Sequence, residues 1–439
     1  MKPGWLYPKV GTVSYYHIWT IGCQMNKADS ESICVGLEQM GFRSARRLDD
    51  ADVVVLNSCV VRQSAEDRVT HKLDSLRSLG KDKVLALTGC FVDSDVDELK
   101  RRFPRVDIWF APQDFDAFFD YLKGNGMASR DGDAASISSR PRPSEFVNII
   151  HGCDNFCAYC IVPYRRGRER SRSMNDIVCE VESLAERGAK EVTLLGQNVD
   201  SYGHDLLDKP TLADLLVELN RIDGLSRIRF LTSHPKDMSQ QLIEAMAGLD
   251  KVCEHVSLPL QAGDDDILQA MRRGYTVAQY KSLVERIHRA IPEVALSTDV
   301  IVGFPGESQR QFQKTYDVLR ELRFDTVHIA AYSPRTGTIA ARQLADDVSL
   351  AEKIRRRQML EGLQEGIAAE INAGLLGRTV EVLVEGRKKG RWRGRTRTDK
   401  LVFFEDEADR FGRLVDVEIK HAGPWSLQGE IEMGYGESI

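Results

Sequence analysis

Three hydrophobic patterns follow one another along the chain. Up to about residue 140, short apolar runs rich in β-branched residues alternate with amphipathic, charge-rich stretches. VSYYHIWT (13–20), DVVVLN (52–57) and VLALT (84–88) read as buried strands. The stretch opening at Asp29 is closed by Gly41, which predicts a helix with a C-terminal stop. This βαβα rhythm predicts a doubly wound parallel sheet. Residues 124–144 then hold Gly, Ser, Pro and Asp with no periodicity, and read as a linker.

From residue 145 the alternation resumes and repeats six times. The expected strands are EFVNII, EVTLLG, RIRFLT, HVSLPL, STDVIVGF and DTVHIAAY, with helical patterns such as 174–187, 212–221 and 311–322 between them. Six βα units fall short of a closed eightfold barrel, so an open partial (βα)6 barrel is expected, with its chemistry at the carboxyl ends of the strands. An amphipathic stretch, 350–372, is expected to pack along the barrel and lead out of it. Beyond about Gly377, TVEVLVEG, LVFFE and LVDVEIKHA are short strands between Gly- and charge-rich turns, as in a small β-barrel. The expected fold is therefore α/β, with a sheet domain at 13–123, a linker at 124–144, a partial barrel at 145–373 and a small β-barrel at 377–438.

Composition sharpens the chemistry. The 439 residues call for two or three domains, and 42% hydrophobic with 29% charged residues is the balance of a soluble globular chain. No stretch approaches the ~20 apolar residues of a membrane span, and MKPGWLYPKV has no export signal. A cytoplasmic protein with no membrane partner is expected. In that reducing compartment the nine cysteines point to metal binding or catalysis before disulfides. The net charge of −6 argues against nucleic acid binding over the whole surface but permits local basic patches.

Cys153, Cys157 and Cys160 lie in HGCDNFCAYC, directly after an expected strand. Three thiolates on one loop leave open the fourth iron of a [4Fe–4S] cubane, which normally takes four cysteines. That iron can chelate the amino and carboxylate groups of S-adenosylmethionine (SAM). The competing readings are a chance cluster or a zinc site, which would want a fourth ligand and paired CxxC spacing. Cys23, Cys59 and Cys90 are far apart in sequence, yet each follows one of the first three expected strands. In a doubly wound sheet those loops share one edge, so the three thiols are expected to converge; buried packing is the alternative. Cys34 and Cys179, within helical patterns, and Cys253, before a strand, read as packing residues.

These stretches resemble the methylthiotransferase family of radical SAM enzymes over nearly the whole chain. GCQMNKADSE (22–31), NSCVVRQSAEDRV (57–69), CAYCIVPYRRGRERSR (157–172), LLGQNVDSYG (194–203), TSHPKD (232–237) and DVIVGFPGE (299–307) carry the match. Within the family, Val61-Arg62 and Gln197-Asn198-Val199 are similar to the branch acting on dimethylallyl-adenosine of tRNA. Ser58 replaces a commoner threonine, and Ala262 and Asp264 replace commoner serines.

The resemblance implies a methylthiotransferase domain, a radical SAM core and a C-terminal TRAM domain. It implies two [4Fe–4S] clusters, one SAM-binding on Cys153, Cys157 and Cys160 and one auxiliary on Cys23, Cys59 and Cys90. Two SAM molecules per turnover would then methylthiolate C-2 of N6-isopentenyl-adenosine at position 37, with an electron donor such as a flavodoxin or ferredoxin and a sulfur source as partners. Ile301-Val302-Gly303 resembles the radical SAM strand that lies along the adenine of SAM, which implies Gly303 as a SAM contact, although Asp299 and Gly306 depart from the broader pattern. Gln197 and Ser233 end neighbouring strands and are candidate SAM contacts, with strand-end capping as the alternative; His151 and His234 read as loop polar groups.

Two basic runs point to RNA. RRGRERSR (165–172) adjoins the cysteine loop, and RKKGRWRGRTR (387–397) lies in the terminal barrel. In the second, Arg391, Arg393 and Arg395 would neutralise phosphates while Trp392 stacks on a base. A solvated charged face is the plainer alternative. Three rival functions remain at this stage: the same chemistry on a ribosomal-protein side chain, the same chemistry on threonylcarbamoyl-adenosine, and a non-enzymatic iron–sulfur redox sensor that binds RNA.

Overall fold

The computed structural model describes residues 14–59, 63–92, 96–112, 114–127 and 142–432. Val61, Arg62 and most of the expected linker (128–141) lie outside the described residues. The chain divides into two compact units. The first gathers the described residues before 140 together with Gly152–Asp154 and Cys160–Arg168; the second holds the remaining described residues. Ile161 is buried among Cys59, Cys90 and Val92 in the first unit's core.

The first unit is built from β1 (Tyr15–Thr20), α1 (Gln24–Gln39), β2 (Arg43–Ser44), β3 (Val53–Ser58), α2 (Gln63–Ser75), β4 (Val84–Gly89), α3 (Val96–Arg102), β5 (Ile108–Trp109) and α4 (Phe115–Gly124). Its five strands are parallel, in the order β2-β1-β3-β4-β5. Alternation along the central strands feeds two cores. Val53, Val55, Val84 and Ala86 pack with Ile33, Leu37, Phe118 and Leu122 of α1 and α4. Val54, Leu56, Leu85 and Leu87 pack on the opposite face with Val69 and Leu73 of α2. Burial on both faces is what makes these strands near-continuous apolar runs. The strands β2 and β5 are two residues long and carry no periodicity to read. Helix α1 opens at Gln24, five residues before the expected start, directly from an extended Cys23. A short helix, α5 (Val162–Arg166), completes this unit.

The second unit contains β6 (Ser144–Asn148), β7 (Ile150–His151), β8 (Arg170–Ser171), α6 (Met174–Glu186), β9 (Glu191–Leu195), α7 (Leu212–Asn220), β10 (Arg227–Phe230) and α8 (Gln240–Gly248). It continues through β11 (His255–Ser257), α9 (Asp265–Ala270), α10 (Val277–Ala290), β12 (Ala295–Val302), α11 (Gln309–Leu322), β13 (Thr326–Ala331), α12 (Ile339–Gln343) and α13 (Leu350–Ala373). Six parallel strands form two three-stranded sheets, β6-β9-β10 and β11-β12-β13. They are joined through a parallel bridge between Ile228 and Val252 and the Cys253 N–H donating to the Ile228 carbonyl at 2.9 Å. The strands therefore run in chain order, as an open partial barrel, and Val192, Ile228, Val256 and Val300 pack with Ile177, Leu215, Leu283 and Phe312 of the flanking helices. Asp264, where serine was the expected family residue, caps α9 by accepting from Ile267 N at 3.2 Å.

A closed barrel follows, in the order β14-β15-β16-β18-β17: β14 (Thr379–Lys388), β15 (Arg391–Thr396), β16 (Leu401–Phe404), β17 (Leu414–Ala422) and β18 (Leu427–Ile431). The basic run is a β14–β15 hairpin. Its two-residue turn, Lys389-Gly390, has positive φ at both positions (51° and 86°), matching the twist of paired strands.

Candidate metal centres

The order β2-β1-β3 places the chain reversal between β1 and β3, and a crevice opens at the strands' carboxyl ends there. Cys23 follows β1, Cys59 follows β3 and Cys90 follows β4, and the three side chains meet. Cys59 lies in thiol–thiol hydrogen-bonding contact with both Cys23 and Cys90. Those contacts push the Cys59 thiol well up. They pull Cys23 and Cys90 down to about 6, helped by the Asn26 and Met25 amides at Cys23 and by the Arg166 charge at both. Cys23 is also the N-cap of α1, where amide dipoles favour a thiolate.

The sequence builds this crevice with close backbone approaches. A Cβ on Gly22 would lie 2.8 Å from Cβ of Cys59, and one on Gly89 (φ +92°) would lie 2.2 Å from the Ser58 carbonyl. Asn26 and Asn57 brace the loops. Asn26 Nδ2 donates to Asn57 Oδ1 at 2.8 Å, and Asn57 Nδ2 donates to the Asn26 carbonyl at 2.7 Å. Among the described residues no group of three such ligands closes around a single metal ion. Three thiols on three separate loops suit a cubane instead, which takes one thiolate per iron.

Arg166 enters the same place from α5. Its Nη2 donates to Asp29 Oδ2 at 2.9 Å, and its Nε donates to Cys90 Sγ at 3.3 Å. Charge patterning had placed this arginine in an RNA-facing run, yet its side chain is 2% exposed and that of Asp29 0%. Arg168 of the run pairs with Asp154, and Arg172 with Glu180.

The second trio lies on the loop after β7. Gly152 begins it, where a Cβ would sit 2.1 Å from the Arg168 carbonyl. Within the second unit, Ala158 anchors the loop: its N–H donates to the Met271 carbonyl at 2.9 Å and its carbonyl accepts from Ala340 at 2.7 Å. Cys157 is buried, and its Sγ accepts from Arg273 Nη1 at 3.4 Å. Arg273 is fixed in turn by the Pro259 carbonyl (3.2 Å) and the Tyr275 hydroxyl (3.0 Å). Charge patterning reads Arg166 as part of an RNA-facing run and gives no reading of the isolated Arg273, because an arginine's sequence neighbours do not separate a thiolate partner from a surface charge.

Past the carboxyl ends of β9 and β10 stand Gln197 and Ser233, two of the expected SAM contacts, with Asn198 and His234 beside them in the chain. Gln197 Oε1, Asn198 Oδ1 and His234 Nε2 are buried with no hydrogen-bond partner among the described residues. Buried polar atoms are rarely left unmatched, so these acceptors and this ring nitrogen suit a polar ligand. Ser233 is instead committed, its hydroxyl donating to Asp200 Oδ1 at 3.0 Å while the His234 amide donates to Oδ2 at 3.0 Å. Burial raises Asp200 to about 7. Burial and then the Arg273 and Lys236 charges lower His234 to about 2, which keeps its ring neutral. Thr232, just before them, holds φ +72°, a strained value for a β-branched residue.

The space a side chain at position 303 would take is filled by Lys353 of α13, whose Cγ would lie 2.3 Å from an added Cβ, so glycine at this position allows helix packing. One expectation is corrected here. Trp392 is 5% exposed in the barrel core, its Nε1 donating to the carbonyls of Asp406 (3.2 Å) and Ala408 (3.1 Å), so it offers no face to a base. Strand alternation turns Trp392 inward, while Arg391 and Arg393 are exposed on the other face. Arg395 is half-buried and bonded to Asp399.

Residues 147–319 match the radical SAM superfamily, 15–111 the uncharacterized protein family UPF0004, and 375–431 the TRAM domain. A curated protein of Dehalococcoides mccartyi (strain CBDB1) is 51% identical over 95% of this chain and 98% of its own length. Others from Roseiflexus sp. (strain RS-1) and Herpetosiphon aurantiacus are 49% and 47% identical, over 94% and 95% of this chain and 89% and 97% of their own. All three are named tRNA-2-methylthio-N(6)-dimethylallyladenosine synthase. Among solved structures, the radical S-adenosylmethionine methyltransferase TsrM from Kitasatospora setae, with cobalamin and a [4Fe-4S] cluster bound, shares the fold. Its TM-score is 0.55 at 13% identity, covering 75% of this chain and 74% of that one. With half its residues shared along nearly its full length, this chain belongs to the tRNA-2-methylthio-N(6)-dimethylallyladenosine synthase family of radical SAM enzymes.

Proposed function

We propose that this chain methylthiolates the C-2 carbon of N6-isopentenyl-adenosine at position 37 of tRNA. In this reading Cys153, Cys157 and Cys160 hold the SAM-binding cluster, and Cys23, Cys59 and Cys90 hold the auxiliary cluster. The observation that carries it is the meeting of three thiols from three loops at one sheet edge, in a chain whose relatives bear that enzyme name. When bound, the clusters and SAM supply reductive cleavage, hydrogen removal from an unactivated carbon, and transfer of sulfur and methyl.

The chain's own residues position these groups. Arg273 orients Cys157 through its N–H···S bond, and Gln197 offers an unmatched acceptor to SAM. Asp200 holds Ser233 and the His234 amide, so that the neutral His234 ring keeps one orientation. Arg391 and Arg393 meet tRNA phosphates from the barrel hairpin. An anticodon-loop base is unpaired and can be splayed into a site that a stacked base cannot reach. Burying five isopentenyl carbons contributes up to about 4 kcal/mol at ~0.8 per carbon, before ordering costs. No helix among the described residues is long and apolar enough to cross a membrane. The cytoplasm, a flavodoxin- or ferredoxin-type donor and a sulfur source complete the proposal.

The test is to give reconstituted enzyme matched tRNAs with and without the isopentenyl group and to measure methylthio nucleoside by mass spectrometry. Product on the prenylated tRNA alone is expected. Equal turnover on both overturns the substrate. So does modification confined to threonylcarbamoyl-adenosine tRNA or to a ribosomal protein. Absence of 5′-deoxyadenosine from reduced protein and SAM would leave the redox-sensor reading standing.

A further inference from the structure

The pair of Arg166 and Asp29 is a peculiar use of charge. Removing two charges from water is costly, and apolar side chains of similar volume commonly do as well for stability. The pair is nonetheless buried at 2% and 0% side-chain exposure, and one of its N–H groups is spent on a sulfur. Arg168, two residues on, shows the ordinary arrangement: its pair with Asp154 is 72% and 37% exposed. Arg166 stands on α5, six residues after Cys160, so the segment bearing that cysteine also delivers a guanidinium to Cys90.

Iron–sulfur potentials are set by net charge, hydrogen bonds to the sulfurs and solvent exposure. Arg166 supplies the first two in a place where little water screens them. Each added electron makes a thiolate-bound cluster more negative, and a fixed buried cation stabilises that reduced form. Asp29, next to the cation, opposes it.

We propose that Arg166 is a positioning residue for the auxiliary cluster, which holds Cys90 by an N–H···S bond and, balanced by Asp29, raises that cluster's reduction potential. The proposal rests on the reading of Cys23, Cys59 and Cys90 as ligands.

The test uses the full chain with Cys153, Cys157 and Cys160 replaced by Ala, reconstituted anaerobically so that one cluster remains. Iron content and a potentiometric titration followed by electron paramagnetic resonance are the readouts. Arg166→Gln should keep its iron and bind the electron at least tenfold more weakly, a fall of about 59 mV for a one-electron couple. Arg166→Lys, which keeps the charge, should recover most of that shift. Asp29→Asn should move the potential the other way. An unchanged potential in Arg166→Gln overturns the proposal, and so does equal loss of iron in the Gln and Lys variants, the mark of a purely structural arginine. If the parent protein takes up no iron, the ligand reading itself fails, and that result is distinct from either arginine outcome.

Discussion

Cys59 sits between two other thiols, on a loop that glycine at position 22 allows to come close. Replacing it with Ala should remove the auxiliary cluster's iron and the methylthio product while 5′-deoxyadenosine formation persists; Cys157→Ala should do the reverse. Full product from Cys59→Ala would refute the assignment of the first trio. A pH effect belongs to the same scale. Asp200 is raised from 3.8 to about 7, so the folded state keeps its proton longer than the unfolded state does. Its contribution to stability is whole below about pH 4 and is lost as pH rises to about 7. His234, lowered to about 2, works oppositely, losing stability as pH falls below 6.5. Asp200→Asn should therefore gain stability relative to the parent between pH 4 and 7, on the order of 1–4 kcal/mol. Urea unfolding of iron-free protein at several pH values measures it, and a pH-independent difference would contradict it. The candidate cysteines stand out in the sequence because their spacing is itself a signal. The inward turn of Arg166 does not, because it stands in a run with the exposed Arg168 and Arg170 and its partners are distant in the chain.

The β14–β15 hairpin shows what an element adds to a charge run. Arg387, Lys388, Lys389, Arg391 and Arg393 gather at its exposed end. Arg397 is drawn off by Glu254, to which its Nη2 donates at 2.7 Å. Replacing Arg391 and Arg393 by Ala should flatten the salt dependence of tRNA binding by up to ~0.9 per lost phosphate contact, with iron content unchanged. An unaltered slope returns the hairpin to the solvated-face reading. Trp392→Ala should act on folding, costing roughly 3–5 kcal/mol as a core truncation. Weakened RNA binding at unaltered thermal stability would reverse that conclusion. The alternating apolar patterns marked β14, β16 and β17, whereas β15 hid in RWRGRT, whose outward positions are all arginine.

At the scale of the whole molecule, each unit is tied together by contacts that no local pattern announces. In the second, the small barrel is held to the partial barrel by buried charge. Arg227, 0% exposed, donates to Glu381 Oε1 at 2.7 Å and to the Arg395 carbonyl at 2.8 Å. Arg229 donates to Glu191 and to the carbonyls of Thr396 and Arg397. Arg227→Met leaves carbonyls and a half-exposed Glu381 without their partner. It should cost roughly 1–3 kcal/mol once solvent screening of that carboxylate is allowed for. Hydrogen exchange should show the loss in β14 and β15 first; uniform protection in both strands would refute it.

Periodicity pointed to the class of each segment, because strands and helices are local properties of the chain, and cysteine spacing named the candidate metal ligands. Tertiary structure alone decided that Arg166 turns inward, that Lys353 fills the space beside Gly303 and that Trp392 belongs to a core. Those outcomes depend on residues between about 10 and 140 positions apart, and on whether a side chain loses its water. Neither the separation nor the loss of water is written in any short stretch of the sequence.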